Sequence, residues 1–201
     1  KIISEIKNNI ENKTLIFYTN GLLGSRKSQT YSNFNDFMYN LSYWSSWSNG
    51  FNIWKSEFDK IDKNLKLNKL FPHTSLFLTQ HQAKLFCIND NLLFDVQRIP
   101  KRGGHNKFEA FTIEYPSLLD ECCKKGHIST KCKKHILFGI MVQFLPSLLF
   151  NKYIIRIETF DDTGFRDNLK KYYPSYAYWL VLISVLGVPF RLFCRKLKNK
   201  R

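Results

Sequence analysis

The sequence predicts an α+β domain, an antiparallel sheet packed on helices, followed by a C-terminal transmembrane or membrane-associated helix. Three observations carry this expectation. Between Pro72 and Ile99, short β-branched and aromatic runs alternate with turn sequences, the pattern of consecutive strands. Between Phe34 and Trp47, apolar residues recur at spacings of three and four, which makes one helical face. Tyr172 to Phe190 carries no charged residue and gives way to Arg191, Arg195, Lys196, Lys198, Lys200 and Arg201. At ~1.5 Å per residue that run is roughly 28 Å of helix, close to the ~30 Å hydrocarbon core of a bilayer.

The elements follow in order. Thr14 to Thr19 reads as a short strand, and Asn20-Gly21 as the turn out of it. The segment Gly21 to Ser28 follows a strand and ends in basic and hydroxyl residues, as a phosphate-binding loop does. Only two residues separate Gly21 from Gly24, and Ser25-Arg26 intervenes before Lys27-Ser28, so a polar turn is the better reading. Phe34, Phe37, Leu41, Trp44 and Trp47 form an aromatic helical stripe that faces a core. His73–Leu78, Ala83–Ile88 and Leu92–Val96 are expected as a three-stranded meander, turned at Thr79–Gln82 and Asn89–Asn91. Lys101–Gly104 is a basic loop, Phe108–Tyr115 alternates as a strand, and Ser117–Cys123 is helical. His135–Phe150 is a long apolar helix interrupted by Gln143 and Pro146. It falls short of the ~20 residues of a span, which makes it a core helix. Tyr153–Phe160 alternates as a further strand. The organisation expected is an aromatic-rich region over 1–70, an α+β core over 71–165 and an anchor with a basic tail over 172–201.

Composition narrows the partners. The 201 residues include 31 Lys and Arg against 16 Asp and Glu, a net charge of +15. Much of the excess sits in Lys124–Lys134 and Arg191–Arg201, so an anionic membrane surface is the first partner to consider. Nucleic acid ranks below it, because no recognition module accompanies the charge. Tyr172, Tyr173, Tyr176, Tyr178 and Trp179 crowd one edge of the apolar run, where amphipathic rings favour the headgroup level. The cysteines number five (Cys87, Cys122, Cys123, Cys132 and Cys194), an odd set with an adjacent pair. That is not a secreted disulfide framework and points to a reducing compartment.

Two constellations compete to do chemistry. Cys122, Cys123, His127, Cys132 and His135 lie within fourteen residues and offer four ligands for a structural zinc. Five lysines around them oppose a dication. Alternatively, Cys132 at a helix start, flanked by Lys131 and Lys133, has its thiolate favoured by dipole and charge, with no cofactor. His73 on the first meander strand is then the base, and Asp95 or Gln97 orients the imidazole; Asn89 and His81 are weaker orienting candidates. His105 and His127 are loop candidates for anion contact. Glu158, Asp161, Asp162 and Asp167 form an acidic patch that a polar turn also explains.

The layout of His73-Thr74-Ser75-Leu76-Phe77, a meander, then Lys131-Cys132-Lys133-Lys134-His135 at a helix start resembles the permuted papain-like fold. That fold is shared by NlpC/P60-type thiol enzymes and the lecithin:retinol acyltransferase group, whose members also end in a hydrophobic anchor. The resemblance covers Pro72–Phe160 and the tail, and it implies acyl transfer or hydrolysis on lipid or peptide by Cys132 and His73. In the acyltransferase motif the cysteine stands between Asn and Glu; here Lys131 and Lys133 take those places. The whole chain, small, basic, aromatic-rich and ending in an anchor, also resembles the virion-morphogenesis membrane proteins of baculoviruses and nudiviruses. That likeness implies envelope or nucleocapsid proteins as partners and requires no catalysis.

Overall fold

A computed structural model describes residues 2–47, 50–95 and 106–199. The fold is α+β, more than half of it helical, with one small mixed sheet. It divides into two compact units. The first is Lys1–Gln97 with Glu121–Lys133; the second is Arg98–Asp120 with Lys134–Arg201.

The first unit is built on β1 (Leu15–Tyr18), β2 (Ser28–Tyr31) and β3 (Phe86–Asn89), in the order β1-β3-β2. β3 runs parallel to β1 and antiparallel to β2. The expected antiparallel meander is therefore replaced by a mixed sheet whose middle strand is the last in sequence. β3 lies between two strands from the first 31 residues, so the sheet joins stretches on both sides of residue 70. β1 and β3 are buried at every position, as a sheet covered on both faces requires. One face of β1 presents Phe17 to Phe77 and Phe51. The other presents Ile16 and Tyr18, which cluster with Cys87 and are covered by Ile2 and Leu93. The free edge of β1 is closed by the segment after Gly50: the Asn52 side chain accepts from Ile16 N at 2.6 Å, and Trp54 donates to Thr14 O at 2.9 Å.

After a short helix α1 (Ile2–Asn8), α2 (Phe34–Leu41) carries the first part of the aromatic face the sequence predicts, capped by the Asn33 side chain on Asp36 N. Ser42, with a φ of 54°, ends it, so Trp44 lies on a 3-10 turn and Trp47 beyond it. Phe34 and Phe37 pack on Phe77 and Phe86 with ring centroids 5.2–6.0 Å apart. Phe77 does not sit on a strand. Pro72–Leu78 is a helix, α3 here, because Pro72 at its first position has the helical φ preset and Asn68 turns the chain into it. Ala83–Ile88 supplies only β3. The residues of 92–95 form no strand; the Asn20 amide binds the backbone of Leu93 and Phe94 where ladder bonds were expected.

Residues 107–124, of which 107–120 belong to the second unit, run as one helix in which Lys107–Glu109 and Tyr115–Lys124 flank a π-helical turn at Ala110–Glu114. Phe108–Tyr115 was expected as a strand. Its buried Phe108, Thr112, Tyr115 and Leu119 are spaced four, three and four, a helical stripe that over eight residues also alternates. Thr130–Ile154 is a second continuous helix, with a π turn at Ile140–Phe144. Both of these π turns stand six to two residues ahead of a proline, Pro116 or Pro146. Each proline lacks an N–H and crowds the carbonyls one turn back, so the helix widens there. The freed acceptors find side chains: Tyr173 Oη donates to Phe111 O at 2.8 Å, and Arg191 Nη1 to Val142 O at 2.8 Å. Phe150–Ile154 is π-helical and Arg156 has a φ of 61°, so the strand expected at Tyr153–Phe160 is absent.

The C-terminal run is not one helix. α4 (Ala177–Val185) and α5 (Val188–Asn199) are separated at Leu186-Gly187 and bent by 53°. Pro189 accounts for the break, since it has no N–H for the Val185 carbonyl. Among the described residues, Thr130–Ile154 is long and apolar enough by itself to cross a membrane, with half of its apolar window buried inside the protein as in a core helix. Ala177–Val185 and Val188–Cys194 reach that length and apolarity only together, as a bent pair.

Candidate functional site

Cys132 lies three residues after Ser129, whose Oγ accepts from Cys132 N at 3.1 Å and caps the helix. The helix start is thus where the sequence places it. The thiol, however, is fully buried, and its Sγ donates to Asn35 O at 3.6 Å. Burial, reinforced by Asp36 and Cys123, pushes its pKa up to about 12. The expected thiolate is overridden because a charge moved out of water loses more than a helix end returns. His73 sits on α3, exposed, and Asp95 is exposed in the segment after β3. Gln97 and His105 lie outside the described residues. The Cys132 proton is directed to a backbone carbonyl, not to an imidazole.

The five residues proposed for zinc have separate engagements. Cys122 is buried and its thiol raised to about 11, chiefly by burial. Cys123 Sγ faces Thr130 Oγ1 at 3.7 Å. His127 stacks on His81 with centroids 3.5 Å apart and planes 12° from parallel. Burial, then His81, holds the His127 pKa below its ordinary value, and burial does the same for His135. Among the described residues, no three His, Cys, Asp or Glu side chains form a metal-holding group. The acidic patch is also engaged: Glu158 with Lys107 at 2.7 Å, Asp162 with Lys152 at 2.8 Å, Asp167 with Lys170 at 2.7 Å, and Asp161 with Thr163.

The loop from Thr19 to Arg26 does form an anion nest, and this chain fills it itself. The fully buried Asp90 carboxylate accepts from Thr19 Oγ1 at 2.5 Å, Leu23 N at 3.0 Å, Ser25 N at 2.7 Å and Arg26 N at 3.0 Å. Asn20, Gly21, Gly24 and Arg26 all have positive φ, which turns successive N–H groups inward. Asp90 directly follows β3, the strand over whose end the β1–β2 connection must cross. Burial acts to raise its pKa, but the bonds from Thr19, Arg26, Leu23 and Ser25 prevail and hold it below the ordinary carboxylate value. The donors bonded to Asp90 are therefore not open to a nucleotide phosphate. The signal was present in Asn89-Asp90-Asn91, but composition does not distinguish a turn aspartate from an organising one.

The exposed apolar surface is the feature best suited to a partner. Trp179, Ile183, Leu186, Phe190 and Phe193 recur at spacings of four, three, four and three across the bend, and each is between 59% and 82% exposed. On the opposite side of α4, Ala177 and Val181 are fully buried, and the helix packs against the Ile140–Leu149 stretch. Arg191 is turned inward: besides Val142 O it reaches Ser184 O at 3.4 Å, which ties α5 back. The basic residues of the tail follow directly in the sequence. Compared with family models, with curated proteins and with solved structures, the chain gives no match in any of the three.

Proposed function

We propose that this chain is a peripheral membrane protein that attaches to an anionic bilayer surface through α4 and α5, lying in the interface, and that its role is attachment or scaffolding without catalysis. The observation that carries the reading is the row of exposed apolar residues from Trp179 to Phe193, on both sides of the bend, followed by a basic tail. In-plane docking fits better than a span. α4 has nine residues and α5 twelve, so at ~1.5 Å per residue each is far shorter than the ~30 Å core. One side of α4 is also occupied by protein, which leaves the other side for lipid. A helix with an apolar stripe and a basic continuation is the form that lies in an interface. Burying each large side chain contributes about 1.5–3 kcal/mol before ordering costs, and each tail cation about 1 kcal/mol on an anionic surface. The thiol-enzyme reading is not adopted, because the nucleophile it needs is sealed and protonated. The envelope-morphogenesis resemblance is compatible with this role.

The test is co-sedimentation with vesicles of mixed phosphatidylserine and phosphatidylcholine. The chain should pellet with them, less so in high salt, and a Leu186→Asp, Phe190→Asp double variant should stay in the supernatant. If the double variant pellets like the parent, the stripe is not the contact. If light scattering shows a stable dimer that the same variant dissociates, the stripe serves self-association instead.

A further inference from the structure

Beside α4 the second unit holds an open cleft of about 630 Å³, within the ~300–1,000 Å³ of small-molecule sites. Its wall is apolar: Leu149, Ile154, Phe165, Leu182, Val185 and Leu186. Its lip is polar, with Tyr153 bonded to Asp162, and Arg166 lying 5.4 Å over the Tyr178 ring. Leu186 belongs both to this wall and to the exposed stripe, so the cleft opens beside the surface assigned to the bilayer.

We propose that this cleft binds one phospholipid, with an acyl chain against the apolar wall and the phosphate at Arg166. The inference rests on the membrane reading of the stripe and adds a specific lipid site to it. Three observations favour this occupant. Half of the twelve lining residues are Leu, Ile, Val or Phe, which suits a hydrocarbon chain better than a polar metabolite. The cation and the acids stand at the lip, where a headgroup would sit. The lip carboxylates Asp162 and Asp167 each have a lysine, Lys152 and Lys170, so Arg166 is the lip cation set against the ring and suited to an oxyanion.

The experiment uses the full chain and dioctanoyl phosphatidylserine below its micelle concentration, so that binding is read without a bilayer. Titration calorimetry and native mass spectrometry should show saturable binding of one lipid per chain. Leu182→Trp, which fills the cleft, should weaken it at least about tenfold, the scale on which pocket occupancy is discriminated. Arg166→Gln should weaken the phospholipid by about tenfold while leaving dioctanoylglycerol, which lacks the phosphate, unchanged. Val185→Phe is the second filling variant if Leu182→Trp perturbs the circular dichroism spectrum. No saturable binding, or binding indifferent to both filling variants, overturns the proposal. Equal loss of both lipids with Arg166→Gln overturns the phosphate assignment. Vesicle co-sedimentation separates the two readings: a parent chain that pellets with vesicles but shows no saturable lipid binding removes the cleft alone. Lost pelleting of the parent chain with intact lipid binding removes the interfacial attachment.

Discussion

The two units treat aromatic and aliphatic side chains in opposite ways. In the first unit Phe17, Phe37, Phe77 and Phe86 are at most 1% exposed and packed ring against ring around a three-stranded sheet. In the second, Trp179, Ile183, Leu186, Phe190 and Phe193 form an exposed row along two short helices and the break between them. The first unit also exposes apolar residues, such as Ile3 and Leu92, but not as a stripe along one helical face. The difference teaches that hydrophobicity alone does not assign a role. Its spacing and its neighbours do: rings that meet other rings stabilise the fold, and rings that meet solvent contribute little to it.

That contrast is sharpest for matched substitutions. Phe77→Ala should lower unfolding free energy by about 3–5 kcal/mol, read by urea titration, because a fully buried ring is lost from a packed cluster. Trp179→Ala should change it by less than about 0.5 kcal/mol while reducing vesicle binding. Equal stability losses would erase the distinction drawn here.

A smaller effect is expected where the first unit orders its backbone by charge. Asp90→Asn should cost about 2–4 kcal/mol, since an amide turns donors toward donors in a buried nest. The carboxyl's folded pKa is depressed, so its contribution is present above the unfolded value of ~3.9 and is lost as pH falls through the folded one. Stability of the parent should therefore fall with acid below about pH 4, and the variant should lose that part of the slope. An unchanged acid limb would mean that Asp90 does not organise the loop.

In the second unit the corresponding device is Arg191. Arg191→Leu leaves Val142 O without its guanidinium and should cost about 1–3 kcal/mol, with faster hydrogen exchange in the 188–194 backbone. Exchange unchanged there would show that α5 is held otherwise.

The smallest effect concerns the thiols. Burial raises Cys87 and Cys122 to about 11 and Cys132 to about 12. Their contribution is intact below the unfolded value of ~8.5 and is lost as pH rises from there through the folded values. Native Cys132 should accordingly label with iodoacetamide more slowly than the same residue in urea, at neutral pH. Labelling faster than in urea would restore the activated nucleophile.

Much of the fold was legible where a signal extends over many residues. The α2 face, the helix beginning beside Cys132 and the uncharged C-terminal run were all readable, because a long periodic segment excludes the alternative period. The prolines also marked their positions, but whether Pro146 and Pro189 break, widen or bend a helix depends on what accepts the freed carbonyl. Short segments failed for a related reason. His73–Leu78 and Phe108–Tyr115 satisfy strand and helix spacing together, and tertiary packing against Phe86 or within the second unit chose helix.

The sequence by itself determined the charge, the oddness of the cysteine set, the apolar run with its basic end, and the presence of an α+β fold. Only the tertiary structure decided that β3 enters between β1 and β2, because strand order is set by contacts between residues seventy apart in the chain. It also decided that Asp90 occupies the loop that resembled a phosphate site and that Cys132 is a sealed thiol, not an activated one. Local charge favours a thiolate, but ionisation depends on access to water, and burial is a property of the packed chain.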